Sequence, residues 1–226
     1  MPTPRLPAAL ASLALLGASA LSLPATADDD MLLTVLIENV SSETTLKLAN
    51  GETRRVPVAP GAYAVVRGDV ILFEEGKPAG ENGLEALAED GNAEPLIAYL
   101  EKQEGVREAG MFLPGQPFTV HASPGDRLVF AAMFVESNDL FYSPGSRGID
   151  LIDPQSRAIA GDVSPQVKLW DAGTEFNEAL DTGQHQAPRQ IEPNNGVAES
   201  GVVRPVSDGF AYPTTSEVLK VTLGAG

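Results

Sequence analysis

The amino-acid sequence predicts an all-β fold, an antiparallel β-sandwich with one short helical insertion. Three observations lead to this prediction. Short runs rich in β-branched, leucine and aromatic residues recur along the chain. Turn residues such as Asn-Gly and Pro-Gly separate these runs. One segment alone spaces its apolar residues as a helix does.

The N-terminal residues 1–27 are predicted to be a secretory signal peptide. Arg5 precedes an apolar run, and an Ala-Thr-Ala cleavage site ends at Ala27, so the mature chain would begin at Asp28. A transmembrane anchor is the alternative, but Ser, Gly and Pro interrupt the run and no stop-transfer pattern follows. We therefore expect a secreted or periplasmic protein with no membrane insertion after cleavage.

Residues 28–226 are predicted to form one domain, a size that allows a substantial core. One run is apolar almost throughout, which is typical of a central strand buried on both faces; it is RLVFAAMFVES. The other predicted strands lie in the runs MLLTVLIENV, TTLKLAN, GAYAVV, PFTVHA, VKLW and EVLKVTL.

The helical insertion is predicted around residues 81–104, as two short helices divided by Gly91 and Pro95. We expect it to cap one end or edge of the sandwich. The apolar residues at helical spacing are Leu84, Leu87, Ala88, Leu96, Ile97, Tyr99 and Leu100.

Composition excludes several functions. The chain has 15 Lys and Arg against 31 Asp and Glu, a balance that repels nucleic acid and anionic lipid and attracts cations, although it also serves solubility. The absence of cysteine excludes disulfides, thiol catalysis and iron–sulfur clusters. With only His121 and His185, a multi-histidine metal site is not expected either.

Acidic residues follow two of the predicted strands. Asp139 lies in the turn after RLVFAAMFVES, and VKLW ends at Asp171, four residues before Glu175. If the two strands run in the same direction, both loops lie at the same end of the sandwich. Asp139, Asp171 and Glu175 would then converge.

Converging carboxylates repel one another unless their pKa values rise or a cation lies between them. Oxygen ligands without His or Cys, in an exported protein, favour Ca²⁺. Gly173 permits the tight turn that this spacing requires. The alternative is an Asx turn at Asp171 with a solvated Glu175.

Neighbouring residues have weaker assignments. Glu136, Asn138 and Asn177 are further candidate oxygen donors, or else a strand end and two turn formers. Trp170 is predicted to anchor the core rather than to present a binding platform. In the polar loop of residues 176–200, Arg189 is expected either to hydrogen-bond back to the acidic loop or to cover a sheet edge.

The sequence resembles the spondin domain family, especially its bacterial secreted members. The similarity lies in VESNDLFYSPGSRGIDL, GDVSPQVKLWDAGTEFNE and QAPRQ, and in the upstream segments APGAY, LFEEGKPAGENGLEALAEDG and ASPGDRLVFAAMF. The animal relatives, F-spondin and mindin, are matrix proteins whose spondin domain is an antiparallel, C2-like sandwich with one calcium ion at a loop end. The resemblance implies Asp139, Asp171 and Glu175 as calcium ligands, with Glu175 replacing an aspartate of the animal proteins.

The resulting expectation is a secreted calcium-binding module for extracellular binding or adhesion, whose partner is an unidentified extracellular or cell-surface macromolecule. Animal spondin domains carry cysteines and accompanying modules that this chain lacks, so adhesion is not transferred wholesale. A structural envelope protein with a purely stabilising metal is the alternative. A carboxylate-based hydrolase is less favoured, because the acidic residues cluster in loops and only 6% of the residues are aromatic, which is few for stacking on sugars. No G-x-S-x-G motif and no convincing Ser-His-Asp arrangement is found either. We expect the protein not to be an enzyme.

Overall fold

A computed structural model describes residues 1, 30–48 and 50–226. The predicted signal peptide and the start of the mature chain at Asp28 lie outside the described residues. Within the described ranges, no helix has the length and apolar character needed to cross a lipid bilayer.

The strands that the structure describes are short and spread along the whole domain. They are β1 (Met31–Asn39), β2 (Leu46–Lys47), β3 (Thr53–Arg54), β4 (Gly61–Val66), β5 (Val106–Phe112), β6 (Phe118–Ala122), β7 (Arg127–Met133), β8 (Leu140–Ser143), β9 (Ile149–Asp150), β10 (Gly161–Asp162), β11 (Lys168–Asp171), β12 (Arg204–Pro205) and β13 (Leu219–Ala225). The α-helices are α1 (Leu84–Asp90), α2 (Glu94–Leu100) and α3 (Thr215–Val218), and a short 3₁₀ helix covers Ser164–Gln166.

The strands form two main antiparallel sheets, which confirms the predicted sandwich. A four-stranded sheet has the order β10-β13-β1-β6, and a larger sheet has the order β12-β11-β8-β7-β4-β5, with β9 also paired to β7. Strands β2 and β3 form a separate hairpin. The sequence patterns did not identify β5 and β8, since VREAGMF carries two charges and LFYS is only four residues long.

The main core lies between the two large sheets. Along β1, Leu33, Val35 and Ile37 are buried while their neighbours are partly exposed, which is the period-two pattern of a strand with one buried face. They belong to the same apolar cluster as Leu128 and Phe130 of β7. Packing between the inner faces of two sheets is the source of stability in a sandwich.

Strand β7 is buried on both faces, as the sequence predicts. Leu128 and Phe130 face the main core, whereas Val129 and Ala131 belong to a second apolar cluster that includes Leu87 of α1. The molecule therefore has three layers, in which the larger sheet lies between the smaller sheet and the helices.

The helical insertion is confirmed, but its predicted place at an end or edge of the sandwich is wrong. Helix α1 packs on β7 and β8, and α2 packs on β4 and β5. The outer face of this sheet is apolar, and small residues such as Ala62 and Ala64 let a helix approach closely. The helices cover this face because it would otherwise be exposed to water.

The order of the strands determines where the acidic loops lie. Strand β8 pairs antiparallel with both β7 and β11, so β7 and β11 run in the same direction, as expected. Their carboxyl ends therefore lie at one end of the sheet. Asp139 follows β7, and Asp171 ends β11.

Candidate metal centre

Asp139 joins the two acidic loops and is fully buried, with 0% of its surface exposed. Its Oδ2 accepts hydrogen bonds from the backbone N–H groups of Thr174 (2.8 Å) and Glu175 (3.1 Å) and from the Thr174 hydroxyl (3.2 Å). Its Oδ1 is buried and has no hydrogen-bond partner among the described residues. A buried carboxylate oxygen without a donor is costly, so this atom calls for an explanation.

Asp171 forms the Asx turn that the sequence offered as an alternative. Its Oδ1 accepts the Gly173 N–H at 2.7 Å, and Gly173 has a φ of 70°. A Cβ at residue 173 would lie 2.5 Å from the Val202 nitrogen, so the turn requires glycine. The Asp171 Oδ2 accepts from the Asn177 amide and from the Arg204 guanidinium, both at 3.0 Å.

Glu175 is not solvated, and that part of the alternative is wrong. Only 2% of its surface is exposed. Its Oε1 accepts the Gly196 N–H at 2.6 Å, and its Oε2 accepts from the Asn138 amide at 3.4 Å. The Glu175 backbone contacts Asp139, but its carboxylate is held by the loop around residue 196.

Burial dominates the electrostatics of these three acids. It raises the pKa of Asp139 to about 7, and repulsion from Asp171 adds to that shift. Burial also raises the pKa of Asp171, against the opposing charge of Arg204. It raises the pKa of Glu175 as well, against the hydrogen bond from Gly196. Each carboxylate is therefore costly in its charged form unless a cation is near.

The sequence patterns did not identify Glu89, in the last turn of α1. It is 2% exposed, and its Oε2 has no hydrogen-bond partner in the part of the chain that the structure describes. Burial raises its pKa to about 8; a hydrogen bond with the Thr174 side chain opposes this shift and repulsion from Glu175 adds to it. An acid beside an apolar helical stripe is normally solvent-facing, so no pattern pointed to this residue.

Glu136 is buried, so its interpretation as the solvent-facing end of a strand is wrong. Its carboxylate forms ion pairs with Arg54 (2.6 Å) and Arg189 (3.0 Å). The Arg189 contact confirms that the polar loop hydrogen-bonds back to the turn after β7. Because two guanidinium groups already neutralise Glu136, it is a poor metal donor.

The two asparagines have different roles. The Asn138 Oδ1 accepts the Glu178 N–H at 3.0 Å, which is a turn contact. Asn177 donates its amide to Asp171, while its Oδ1 is buried without a hydrogen-bond partner among the described residues. Of these two, Asn177 is the one with an oxygen left for a cation.

Trp170 anchors the end of β11, as predicted. It is 4% exposed, its indole N–H donates to the Ser143 carbonyl at 3.0 Å, and its ring packs edge-on against Phe73. These contacts fix the position of Asp171, the next residue along the chain.

An exposed apolar pair lies beside the site. Phe176 is 55% exposed and Val197 is 59% exposed. They are neighbours across the short bridge between Glu175 and Ala198, where the Phe176 N–H donates to the Val197 carbonyl at 2.9 Å.

The donor chemistry suits a hard cation, because carboxylate and amide oxygens are the ligands that calcium prefers. Of the buried side-chain oxygens that lack a hydrogen-bond partner among the described residues, three belong to the residues discussed above, Glu89, Asp139 and Asn177. However, within the described ranges no three His, Asp or Glu residues are already arranged to hold a metal ion. The carboxylates of Asp171 and Glu175 already accept hydrogen bonds from N–H donors.

Comparison with models of known protein families gives no match, and no curated protein matches the sequence either. The resemblance to spondin domains therefore depends on the quoted motifs and on the sandwich fold.

Proposed function

We propose that this chain is a secreted calcium-binding β-sandwich module related to the spondin domains. Calcium would join the loop after β7 to the loop after β11. The ordered loops would then bind an extracellular or cell-surface macromolecule, as in adhesion.

One observation carries the proposal. Asp139 is fully buried, accepts three hydrogen bonds on Oδ2 from the loop after β11, and leaves Oδ1 without a donor. An ionised carboxylate in that position is costly without a cation beside it. The Asn177 Oδ1, which belongs to the same loop, offers a second unused oxygen.

The exposed pair Phe176 and Val197 supports binding over a purely stabilising role. Phe176 is the next residue after Glu175, and Val197 is the next residue after Gly196, whose N–H donates to the Glu175 carboxylate. An ion that ordered Glu175 would also order this apolar surface.

A structural envelope protein with a purely stabilising metal is the second candidate, and the burial of Asp139 favours it. An ion that contacted only buried oxygens would touch no partner and would act on stability alone, by binding the native state. Calcium binding is common to both candidates. Only the first requires the Phe176 surface.

Within the part of the chain that the structure describes, the geometry of the acidic residues does not favour the hydrolase alternative. Asp139 and Glu89, the acids whose pKa values lie nearest neutrality, are 0% and 2% exposed. A substrate bound at the surface would not contact them. That the protein is not an enzyme stays a prediction.

The test is calorimetric titration of the mature chain from Asp28 with calcium, paired with melting curves in calcium and in chelator. The variants are Asp139→Asn and Asp171→Asn. The matched control is Asp150→Asn, because Asp150 is an exposed aspartate of β9. We expect one site in the parent and the control, weakened at least about tenfold in both site variants. No heat and superimposed melts in the parent would overturn the proposal.

A further inference from the structure

The sequence contains three Asn-Gly dipeptides, and the structure places them in different environments. They are Asn50-Gly51, Asn82-Gly83 and Asn195-Gly196. Asparagine is a thermolabile residue, and a glycine after it favours deamidation because no glycine side chain shields the backbone nitrogen. Three dipeptides of identical chemistry therefore allow the effect of the fold on this reaction to be compared within one chain.

The reaction has two steps. The glycine nitrogen attacks Cγ of the asparagine, the bond from Cγ to Nδ2 breaks, and Nδ2 leaves as ammonia with the proton of the glycine nitrogen. The product is a five-membered succinimide ring, which water then opens to aspartate or isoaspartate. The first step requires that the glycine N–H can lose its proton, that the carboxamide can turn, and that there is space around the glycine.

The Asn195-Gly196 dipeptide is held by the candidate metal centre. The Gly196 N–H donates to Glu175 Oε1 at 2.6 Å, and a hydrogen bond to a carboxylate stabilises the N–H against loss of its proton. A Cβ built on Gly196 would overlap the Glu175 carboxylate, so there is no free space around this glycine. We expect the fold to protect Asn195.

The Asn82-Gly83 dipeptide precedes α1, and its carboxamide is held at both ends. Nδ2 of Asn82 donates to the Leu72 carbonyl at 2.9 Å, and its Oδ1 accepts the Leu84 N–H at 3.0 Å. Gly83 lies against α2, where a Cβ would overlap the Leu96 nitrogen. Neither the rotation of the carboxamide nor the formation of a ring is easy here, so Asn82 should be protected as well.

The Asn50-Gly51 dipeptide lies in the turn between β2 and β3, and both residues are exposed. Among the described residues, no atom lies within 4 Å of a Cβ built on Gly51. The Gly51 N–H donates to the neutral Leu48 carbonyl at 3.0 Å, a weaker restraint than a carboxylate. The Glu52 N–H donates to Asn50 Oδ1 at 2.9 Å, which polarises the carbonyl that the glycine nitrogen attacks.

We propose that Asn50 is a site of spontaneous deamidation, and that the fold protects the two other Asn-Gly dipeptides from the same reaction. The product gains one negative charge in the β2–β3 turn. In its isoaspartate form the backbone is also longer by one methylene. This inference does not depend on the proposed function, because none of its steps involves calcium.

The test follows the three dipeptides in the folded mature chain, incubated at pH 8 and at physiological temperature. Peptide mapping by mass spectrometry measures aspartate and isoaspartate at each asparagine over time. We expect Asn50 to convert at least about tenfold faster than Asn82 or Asn195, since one hydrogen bond is enough to account for such a factor. In urea that unfolds the chain, the three rates should become similar.

The matched variants are Asn50→Gln, Asn82→Gln and Asn195→Gln, because glutamine would have to form a larger ring and reacts more slowly. Ion-exchange chromatography should show an acidic form that accumulates in the parent, in Asn82→Gln and in Asn195→Gln, but not in Asn50→Gln.

Three results would overturn the proposal. Asn50 could stay intact in the folded chain, or Asn82 or Asn195 could convert as fast as Asn50. If Asn195 were the fastest, Glu175 would act as a base towards the Gly196 N–H rather than protect it. An equally large difference between the three rates in urea would show that local sequence, and not the fold, determines which asparagine reacts.

Discussion

An aspartate is buried at each end of β7, and the two carboxylates have different hydrogen-bond donors. Asp126, just before the strand, and Asp139, after it, are both 0% exposed. Asp126 accepts hydrogen bonds from Arg67 at 2.7 Å and from Arg107, and also from the Ser123 N–H at 2.8 Å. Asp139 has no guanidinium partner among the residues that the structure describes; its donors are two backbone N–H groups and a hydroxyl, all on one oxygen.

The surroundings of the two aspartates extend the contrast. At the Asp126 end, Arg107 also pairs with Asp30, and the Ser123 hydroxyl and Arg107 hold the pKa of Asp30 below its ordinary value. At the other end, burial and the charge of Asp171 raise the pKa of Asp139 to about 7. An acid paired with the protein's own arginines is structural. The unpaired Oδ1 of Asp139 is the atom at which we propose that calcium binds.

The largest effect is expected from Asp126→Asn, which removes the carboxylate that pairs with Arg67 and Arg107. The amide cannot replace a carboxylate that two guanidinium groups share, so the free energy of unfolding should fall by about 3 kcal/mol. Urea unfolding measures the change, and it should be the same in calcium and in chelator. If the loss of stability depended on calcium, the two ends of β7 would be coupled, and Asp126 would not be independent of the candidate metal site.

The same substitution at the other end should have the opposite sign when calcium is absent. In chelator at pH 8, Asp139→Asn relieves a buried charge, and its oxygen can still accept from the Thr174 and Glu175 N–H groups. The free energy of unfolding should rise by about 2 kcal/mol. In saturating calcium the variant should lack the stabilisation that binding gives the parent.

A loss of stability in chelator comparable to that of Asp126→Asn would contradict this prediction. Asp139 would then be an ordinary structural acid. The bare Oδ1 would have no functional meaning.

The raised pKa of Asp139 should also make the free energy of unfolding depend on pH. Folded Asp139 keeps its proton to about pH 7, whereas the unfolded chain releases it near the ordinary value of 3.8, so the unfolded state binds fewer protons between these values. In chelator the free energy of unfolding should therefore fall as the pH rises from 4 to 7, by about 1 kcal/mol per unit at the steepest point.

Urea unfolding at pH 5, 6, 7 and 8 measures this slope. Asp139→Asn should reduce it without abolishing it, because the pKa values of Glu89, Asp171 and Glu175 are raised as well. Asp30 has the opposite sign: its depressed pKa means that its contribution is lost as the pH falls below 3.8. If the free energy of unfolding of the parent did not change from pH 5 to 8, ionisation of the buried acids would not destabilise the fold.

The sequence predicts the parts of this contrast that depend on strand pattern. The apolar run of β7 and the run ending at Trp170 locate two buried strands, and their common direction brings Asp139 to Asp171. Alternation and turn residues carry this information because they reflect local backbone geometry. The Asx turn at Asp171 was also among the sequence alternatives.

Contacts between distant segments could not be predicted. The Thr174 side chain and the charge of Glu175 affect the pKa of Glu89 because α1 lies on a face of the sheet, and a helical pattern does not say which sheet face a helix covers. Likewise, Arg204 reaches Asp171 because β11 pairs with β12. Strand β12 has only two residues, so it shows no alternation of apolar and polar residues in the sequence. Side-chain partners of this kind depend on the assembled fold.

The smallest effect is expected from Arg204→Gln, which removes the guanidinium that pairs with Asp171 at the acidic end. Arg204 is the guanidinium that contacts a candidate ligand, at 3.0 Å from Asp171 Oδ2, and it also pairs with Glu199 at 3.1 Å. Its side chain is 35% exposed, so its loss should cost less than about 1 kcal/mol in chelator.

Calcium affinity decides what Arg204 does. If the guanidinium competes with calcium for Asp171, calorimetry on Arg204→Gln should show binding a few-fold tighter than in the parent, since Asp171 Oδ2 is released. If the arginine instead holds Asp171 in position, binding should weaken. Tighter binding would mean that Arg204 neutralises Asp171 only while calcium is absent. At the other end of β7, by contrast, Arg67 and Arg107 neutralise Asp126 permanently.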